Sequence, residues 1–277
     1  MSHVCHCSVP GCTAHTTTPY TDGWSVSPAA ERGGKPRYQC AYHARVVLGY
    51  SHENDVRRGI RETGFTDSTE FEVNNPTPEF RSALMHYQWV PTSDITVDCE
   101  FKSPIYEGYR WHKLLNTIEQ LIAEGHAEVG DNCGTHHHVG HCDAINHQTM
   151  AWVANYYHEL FDELSGYLVE HPAECAAVFG RSLGGWADDC RYRSAYEHRN
   201  FINVEHAFTL EFRACKFVSA AQYKHVMKLC QGITEAVINR FILNYEGATH
   251  EVRCRKAAAV SKHLVKLFKR FYEQRPR

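Results

Sequence analysis

The segment Cys133-Gly-Thr-His-His-His-Val-Gly140 carries the densest chemistry in the chain. Read as a strand, it places His136 and His138 on one face and His137 on the other, because side chains alternate across a strand. Two imidazoles on one face suit a metal or a phosphate. Gly134 and Gly140 permit a turn or a close backbone approach at either end. The same alternation recurs in Glu70-Phe-Glu72-Val, Asp98-Cys-Glu100-Phe and Thr209-Leu-Glu211-Phe-Arg213. Joined as an antiparallel sheet, these strands display carboxylates, imidazoles and a guanidinium over an apolar underside. Carboxylates gathered so closely are costly unless they coordinate cations. Oxygen ligands with added histidine point to hard divalent ions.

The elements that position these groups follow from spacing and punctuation. A strand over 69–73 ends at Asn74-Asn75-Pro76-Thr77-Pro78, which is turn chemistry, and a short helix follows over 78–86. Residues 89–101 read as a hairpin through Pro91-Thr92-Ser93-Asp94, with Asp98 and Glu100 on the return strand. Leu114, Ile118, Leu121 and Ile122 recur at helical spacing within 109–125, and Gly125 sits where a helix stops. A long helix is expected over 146–170, its aromatics serving the core. Arg181, Arg191, Arg193 and Arg199 fall in a loop-like stretch around Gly184-Gly185, where guanidinium groups could pair with phosphate. Phe201-Ile-Asn-Val204 leads by a hairpin into the Glu211 strand, and two helices, over 218–244 and 255–273, complete the chain. The last is basic on one side and apolar on the other, and its basic side reads as a solvated face.

With 277 residues the chain is long enough for one large domain and a small appendage. A formal net charge of −3 gives no reason to expect a nucleic-acid or membrane partner. There is no secretory-type leader and no apolar run of membrane-spanning length, so a cytoplasmic location is expected. Most of the twelve cysteines are scattered through apolar segments, where a reduced thiol behaves as a small core group. The N-terminal cluster differs. Cys7, Cys12, Cys40 and His43 are the best candidates for a structural zinc site, with Cys5, His6 and His15 as competitors. The expected organisation is a Cys/His unit over 1–46, a linker over 47–66 and a catalytic domain over 67–277.

Taken in order, Glu70-Phe-Glu72, Glu100-Phe-Lys-Ser-Pro104, Gly134-Thr-His136-His-His138-Val-Gly140 and Thr209-Leu-Glu211-Phe-Arg213, with Asn203 ahead of the last, resemble the motifs of the amidoligase family. That family belongs to the glutamine synthetase-like carboxylate-amine ligases. The resemblance runs from about residue 70 to 217 and does not cover the Cys/His unit. It implies an α+β fold with a curved antiparallel sheet flanked by helices, ATP with two or more Mg2+ ions, and amide formation from a small-molecule or peptide carboxylate and an amine through an acyl phosphate. It also implies roles: Glu70, His136 and Glu211 on the ion that polarises the γ-phosphate, Glu72 and Glu100 on a second ion, and His138 on ATP phosphate. Arg213, aided by Arg191 or Arg193, would stabilise the transferred phosphoryl group. Two other readings compete. His136-x-His138-x-x-His141 has the histidine spacing of a zinc hydrolase, although Gly140 stands where that signature has Asp. A non-catalytic ligase-like protein, its Cys/His unit recruiting protein or nucleic acid, is the other.

Overall fold

Alternation of apolar and polar side chains does build one sheet face of carboxylates and imidazoles. The computed structural model describes residues 65–276 except 88, 93–95, 105–107, 142–143, 185–186, 193, 196, 198 and 207, together with four short N-terminal strands; for those strands and for 108–113 and 192 it describes the backbone alone. The chain divides into two units, 1–58 and 59–277. In the first, β1 (Cys5–His6) pairs antiparallel with β2 (His15–Thr16), and β3 (Ser25–Ser27) with β4 (Arg37–Gln39). The zinc candidates Cys7, Cys12, Cys40 and His43 lie outside the described residues.

The second unit is α+β. Its strands are β5 (Phe65–Val73), β6 (Val90–Thr92), β7 (Cys99–Lys102), β8 (Thr135–His141), β9 (Ile202–Asn203) and β10 (Leu210–Phe212), in the spatial order β6-β7-β5-β8-β10-β9 with every pairing antiparallel. The register aligns Glu70 with His136 on one side and Lys102 on the other, Glu72 with Glu100, and Glu211 with both His138 and Asn203. Each of these pairs lies directly across from its neighbour, so the side chains share a face within contact range. β5 starts at Phe65, inside the stretch expected to be linker.

Local chemistry fixes the helices. In α1 (Pro78–His86) the Thr77 hydroxyl accepts the Phe80 amide and Pro78 opens the first turn, so the turn sequence ahead of it also serves as its cap. α2 (Gly108–Ala123) ends at Gly125, which adopts φ +81°. The expected helix over 146–170 is two, α3 (His147–Asn155) and α4 (Tyr157–Glu170). No proline or glycine marks the break. Tyr156 instead leaves helical geometry at φ −124°, its hydroxyl within 2.8 Å of His250 Nδ1 and its ring edge-on to Phe241 and Tyr245. α5 (Pro172–Phe179) follows, bounded by Pro172 at its start and Gly180 at φ +87°. α6 (Ala220–Arg240) and α7 (His250–Glu273) are capped by the Ser219 and Thr249 hydroxyls. In α7 the buried side chains Ala257, Val260, Ser261, Leu264, Leu267 and Phe268 recur at helical spacing and pack toward α4 and α6. No described helix is long and apolar enough to cross a membrane.

The underside of the sheet is not wholly apolar. Asp67, Thr69 and His137 point away from the carboxylate face and are fully buried with Tyr223 of α6. Asp67 lies 3.2 Å from His137 Nε2 and accepts a 2.6 Å hydrogen bond from Gln231; Thr69 Oγ1 lies 3.2 Å from His137 Nδ1 and 3.0 Å from the Tyr223 hydroxyl. A buried polar group without a partner is expensive, so this network holds β5, β8 and α6 in one alignment. Replacement of Asp67 by Ala strips partners from His137 and Gln231 together. It is expected to lower the unfolding free energy by about 3 kcal/mol, measured by urea denaturation. A loss below about 0.5 kcal/mol, within the range of an ordinary surface substitution, would show that the network does not hold the sheet to α6.

Candidate active site on the carboxylate face

β8 is the centre of the site and β5 and β10 flank it. His136 lies among three carboxylates: its Nδ1 is 3.2 Å from Glu70 Oε2 and 3.4 Å from Glu211 Oε1, and its Nε2 is 3.9 Å from Glu72 Oε1. His138, one pleat along, has Nδ1 3.4 Å from Thr209 Oγ1, while its buried Nε2 has no hydrogen-bond partner and stands 3.8 Å from Glu70 Oε1. Burial holds the His138 imidazole down at about 4, against the pull of Glu211 and Glu70. The ring is therefore neutral at physiological pH, and the tautomer that donates from Nδ1 to Thr209 leaves a lone pair on Nε2.

Glu211 is almost fully buried, and its carboxylate is the most heavily supported in the site. Oε2 accepts from Asn203 Nδ2 at 2.7 Å and lies 3.1 Å from His206 Nε2; Oε1 accepts from Arg213 at 2.5 Å. Burial alone pushes a carboxyl upward, but the His206 hydrogen bond and the nearby His138, His136 and Arg213 outweigh it and keep Glu211 well below the usual carboxylate range. Glu70 behaves alike: burial opposes ionisation, and His136, His138 and Lys102 reverse the balance. Both groups are held as anions. His206 moves up in turn, chiefly through its hydrogen bond to Glu211.

One ligand atom each from Glu70, His138 and Glu211 lies within 4.8 Å of the others, the one such group of three among the described residues. Opposite ligands around Mg2+ stand about 4.2 Å apart and around Ca2+ about 4.8 Å apart, so the trio fits a hard divalent ion with a small inward movement. The unpartnered His138 Nε2 is what such an ion would satisfy. Geometry brings His138 into this trio, whereas the resemblance implies His136 for the same ion; His136 lies between the Glu70 and Glu211 carboxylates. Glu72 accepts the Gly134 amide, and Glu100 accepts the Thr92 hydroxyl at 3.0 Å. Burial and the nearby Glu70 charge push Glu100 upward.

The glycines around β8 have identifiable causes. A Cβ on Gly140 would stand 2.5 Å from Thr66 Oγ1 and 2.8 Å from the Phe208 carbonyl, so the segment leading into β10 could not pass so closely. A Cβ on Gly134 would press at 3.2 Å on Glu72 Oε2 and 3.3 Å on Arg181 Nη2. Arg181, directly after the Gly180 turn, is the guanidinium that reaches this end of the site. Its Nη2 donates to the Arg213 carbonyl at 2.5 Å, its buried Nε has no hydrogen-bond partner, and Glu72 is among the charges that act on it.

The remaining arginines fall elsewhere. Arg191 is bound to Asp189 through Nε at 3.0 Å and Nη2 at 2.8 Å and packs on Gly166 of α4, so it does not join Arg213 as expected. Arg193 lies outside the described residues. The zinc-hydrolase trio does not converge either. His141 has the opposite strand parity to His136 and His138; its Nδ1 accepts the Ala144 amide at 3.2 Å and its ring stands edge-on to Phe65 at 5.1 Å. Arg181 belongs to the arginine group that the sequence offers for phosphate, whereas His206 and Lys102 carry no role in the sequence-based site.

No family model matches the chain, and no curated protein matches it. Among solved structures it is similar to a GmaS/ADP complex, at 11% identity over 87% of this chain and 75% of that one with a TM-score of 0.39. It is also similar to a glutamine synthase homolog, at 11% identity over 92% of this chain and 78% of that one with a TM-score of 0.33. Likenesses of this degree leave the chemistry to the side chains.

Because Asn203 donates to the buried Glu211 from the neighbouring strand, it orients that carboxylate without belonging to the converging trio. Substitution of such a supporting group weakens metal binding by about 10- to 100-fold. Asn203→Ala is expected to raise the Mn2+ dissociation constant by that factor in calorimetry while the circular dichroism stays unchanged. An unaltered constant would remove Asn203 from the site.

Proposed function

We propose that this chain is an ATP- and Mg2+-dependent carboxylate-amine ligase. The observation that carries the reading is the convergence of Glu70, His138 and Glu211 on one buried sheet face, with the Arg213 guanidinium held against Glu211. Two anionic carboxylates with a neutral imidazole form a donor set for a hard cation, and a fixed guanidinium beside them suits phosphate oxygens. The order of the four sequence motifs supports the same reading.

In this reading Glu70, His138 and Glu211 hold the divalent ion, and His136 bridges Glu70 and Glu211 to keep their carboxylates apart at a fixed separation. When bound, Mg2+ neutralises charge on the nucleotide's phosphate oxygens and so lowers the barrier to phosphoryl transfer. Arg213 faces the transferred group, and Arg181 adds a second positive charge at the Glu72 end. A substrate carboxylate oxygen attacks the γ-phosphorus and the bond to the ADP oxygen breaks, giving an acyl phosphate and ADP. A neutral amine then attacks the acyl carbon; phosphate leaves and the nitrogen gives up one proton. Positioning provides most of the rate here, which suits a site on rigid strands. The substrates are small or peptide carboxylates and amines.

Replacement of Glu211 by Gln keeps shape and removes the charge. It is expected to reduce ADP release, in a screen against mixed carboxylates and amines, by at least about 100-fold, in a protein whose circular dichroism shows it still folded at the assay temperature. Near-normal ADP release from a folded Glu211→Gln protein would reject the ligase reading, and Zn2+-stimulated hydrolysis without nucleotide would favour the hydrolase instead.

A further inference from the structure

Lys102 stands on the carboxylate face two residues beyond Glu100, directly across from Glu70 in register. Its ammonium is 2.9 Å from Glu70 Oε1 and 3.7 Å from Glu100 Oε1. One ammonium thus reaches a carboxylate on each of two neighbouring strands. Two adjacent carboxylates with hydroxyl support from Thr92 are what a second divalent ion would use, and the ammonium already lies between them.

We propose that Lys102 is a built-in cation at this second position, so that the face binds one divalent ion, at Glu70, His138 and Glu211, and not two. This rests on the ligase reading and refines its metal requirement. A divalent ion between Glu70 and Glu100 would sit almost in contact with the lysine's positive charge, and like charges at that range repel strongly on a partly buried surface. An ammonium also differs from a metal in kind. It donates hydrogen bonds, does not exchange with solvent cations, and draws no carboxylate into tight coordination. Glu70 then serves both cations: its Oε1 meets Lys102 and faces His138, while its Oε2 meets His136. The Glu100 end keeps a fixed positive charge suited to an incoming carboxylate, independent of metal concentration.

The competing arrangement is physical and specific. The Lys102 side chain is about half exposed, at 47%, and a flexible stem could swing outward to admit a second ion. Counting ions separates the two. Mn2+ is titrated into the full chain by calorimetry, with free Mn2+ followed by electron paramagnetic resonance, for the wild type, Lys102→Met, Lys102→Arg and Glu211→Gln. Thiol-rich sites compete poorly for this oxygen-preferring ion. The expected result is one Mn2+ per wild-type chain, lost or weakened at least 10-fold in Glu211→Gln, one in Lys102→Arg, and two in Lys102→Met. Two ions in the wild type, or one in Lys102→Met, would overturn the role of Lys102 and leave the ligase reading standing. No Mn2+ bound by any of the folded proteins would overturn both.

Discussion

Four carboxylates brought onto one face of a sheet repel each other, and the rest of the site is arranged around that repulsion. At about 4 Å two such charges cost about 4 kcal/mol at the effective dielectric of a protein surface, so the sheet forms only with compensation from side chains or ions. Glu211 has Arg213, Asn203 and His206; Glu70 has Lys102 and His136; Glu72 has the Gly134 amide. The one buried imidazole nitrogen left without a partner in this cluster is His138 Nε2. An added cation at this nitrogen would complete the balance, as the proposed function requires.

The underside makes that face possible. The antiparallel register that aligns Glu70 with His136 also stacks Asp67, Thr69 and His137 against α6, because strand parity sends alternate residues to opposite faces. A slip of one residue between β5 and β8 would expose Phe71 and Val139 and bury the carboxylates against Tyr223. The His137–Asp67 pair, satisfied from two sides, raises the cost of that slip. The carboxylate face and the buried polar network beneath it therefore share one register.

Much of this was legible in the sequence for a simple reason: the strands obey period two, and proline, asparagine and glycine mark their ends. Glu70, Glu72, Glu100, His136, His138, Glu211 and Arg213 all reach one face as alternation requires. The same parity places Asp67 and Lys102; Asp67 lies outside the four motifs, and Lys102 lies inside the second of them at a position to which the resemblance gives no role. α5 carried its own signals, Pro172 at its start and Gly180 just past its end, and Arg181 follows from them in position though not in direction. Its turn toward Glu72 depends on contacts made by distant segments. The break at Tyr156 is of the same kind, set by His250, Phe241 and Tyr245 far along the chain. For Arg191 the sequence shows the charge, while the pairing with Asp189 two residues earlier is a matter of local geometry that spacing alone does not decide.

The proposed ligase chemistry requires that Glu70, His138 and Glu211 jointly coordinate a divalent cation on the carboxylate face. The most direct measurement is anomalous X-ray scattering from crystals of the protein soaked in Mn2+. The account predicts an anomalous peak within about 2.5 Å of one donor atom from each of the three residues. A well-ordered carboxylate face with no peak there, or a peak seated only on exposed acidic groups elsewhere, would contradict it.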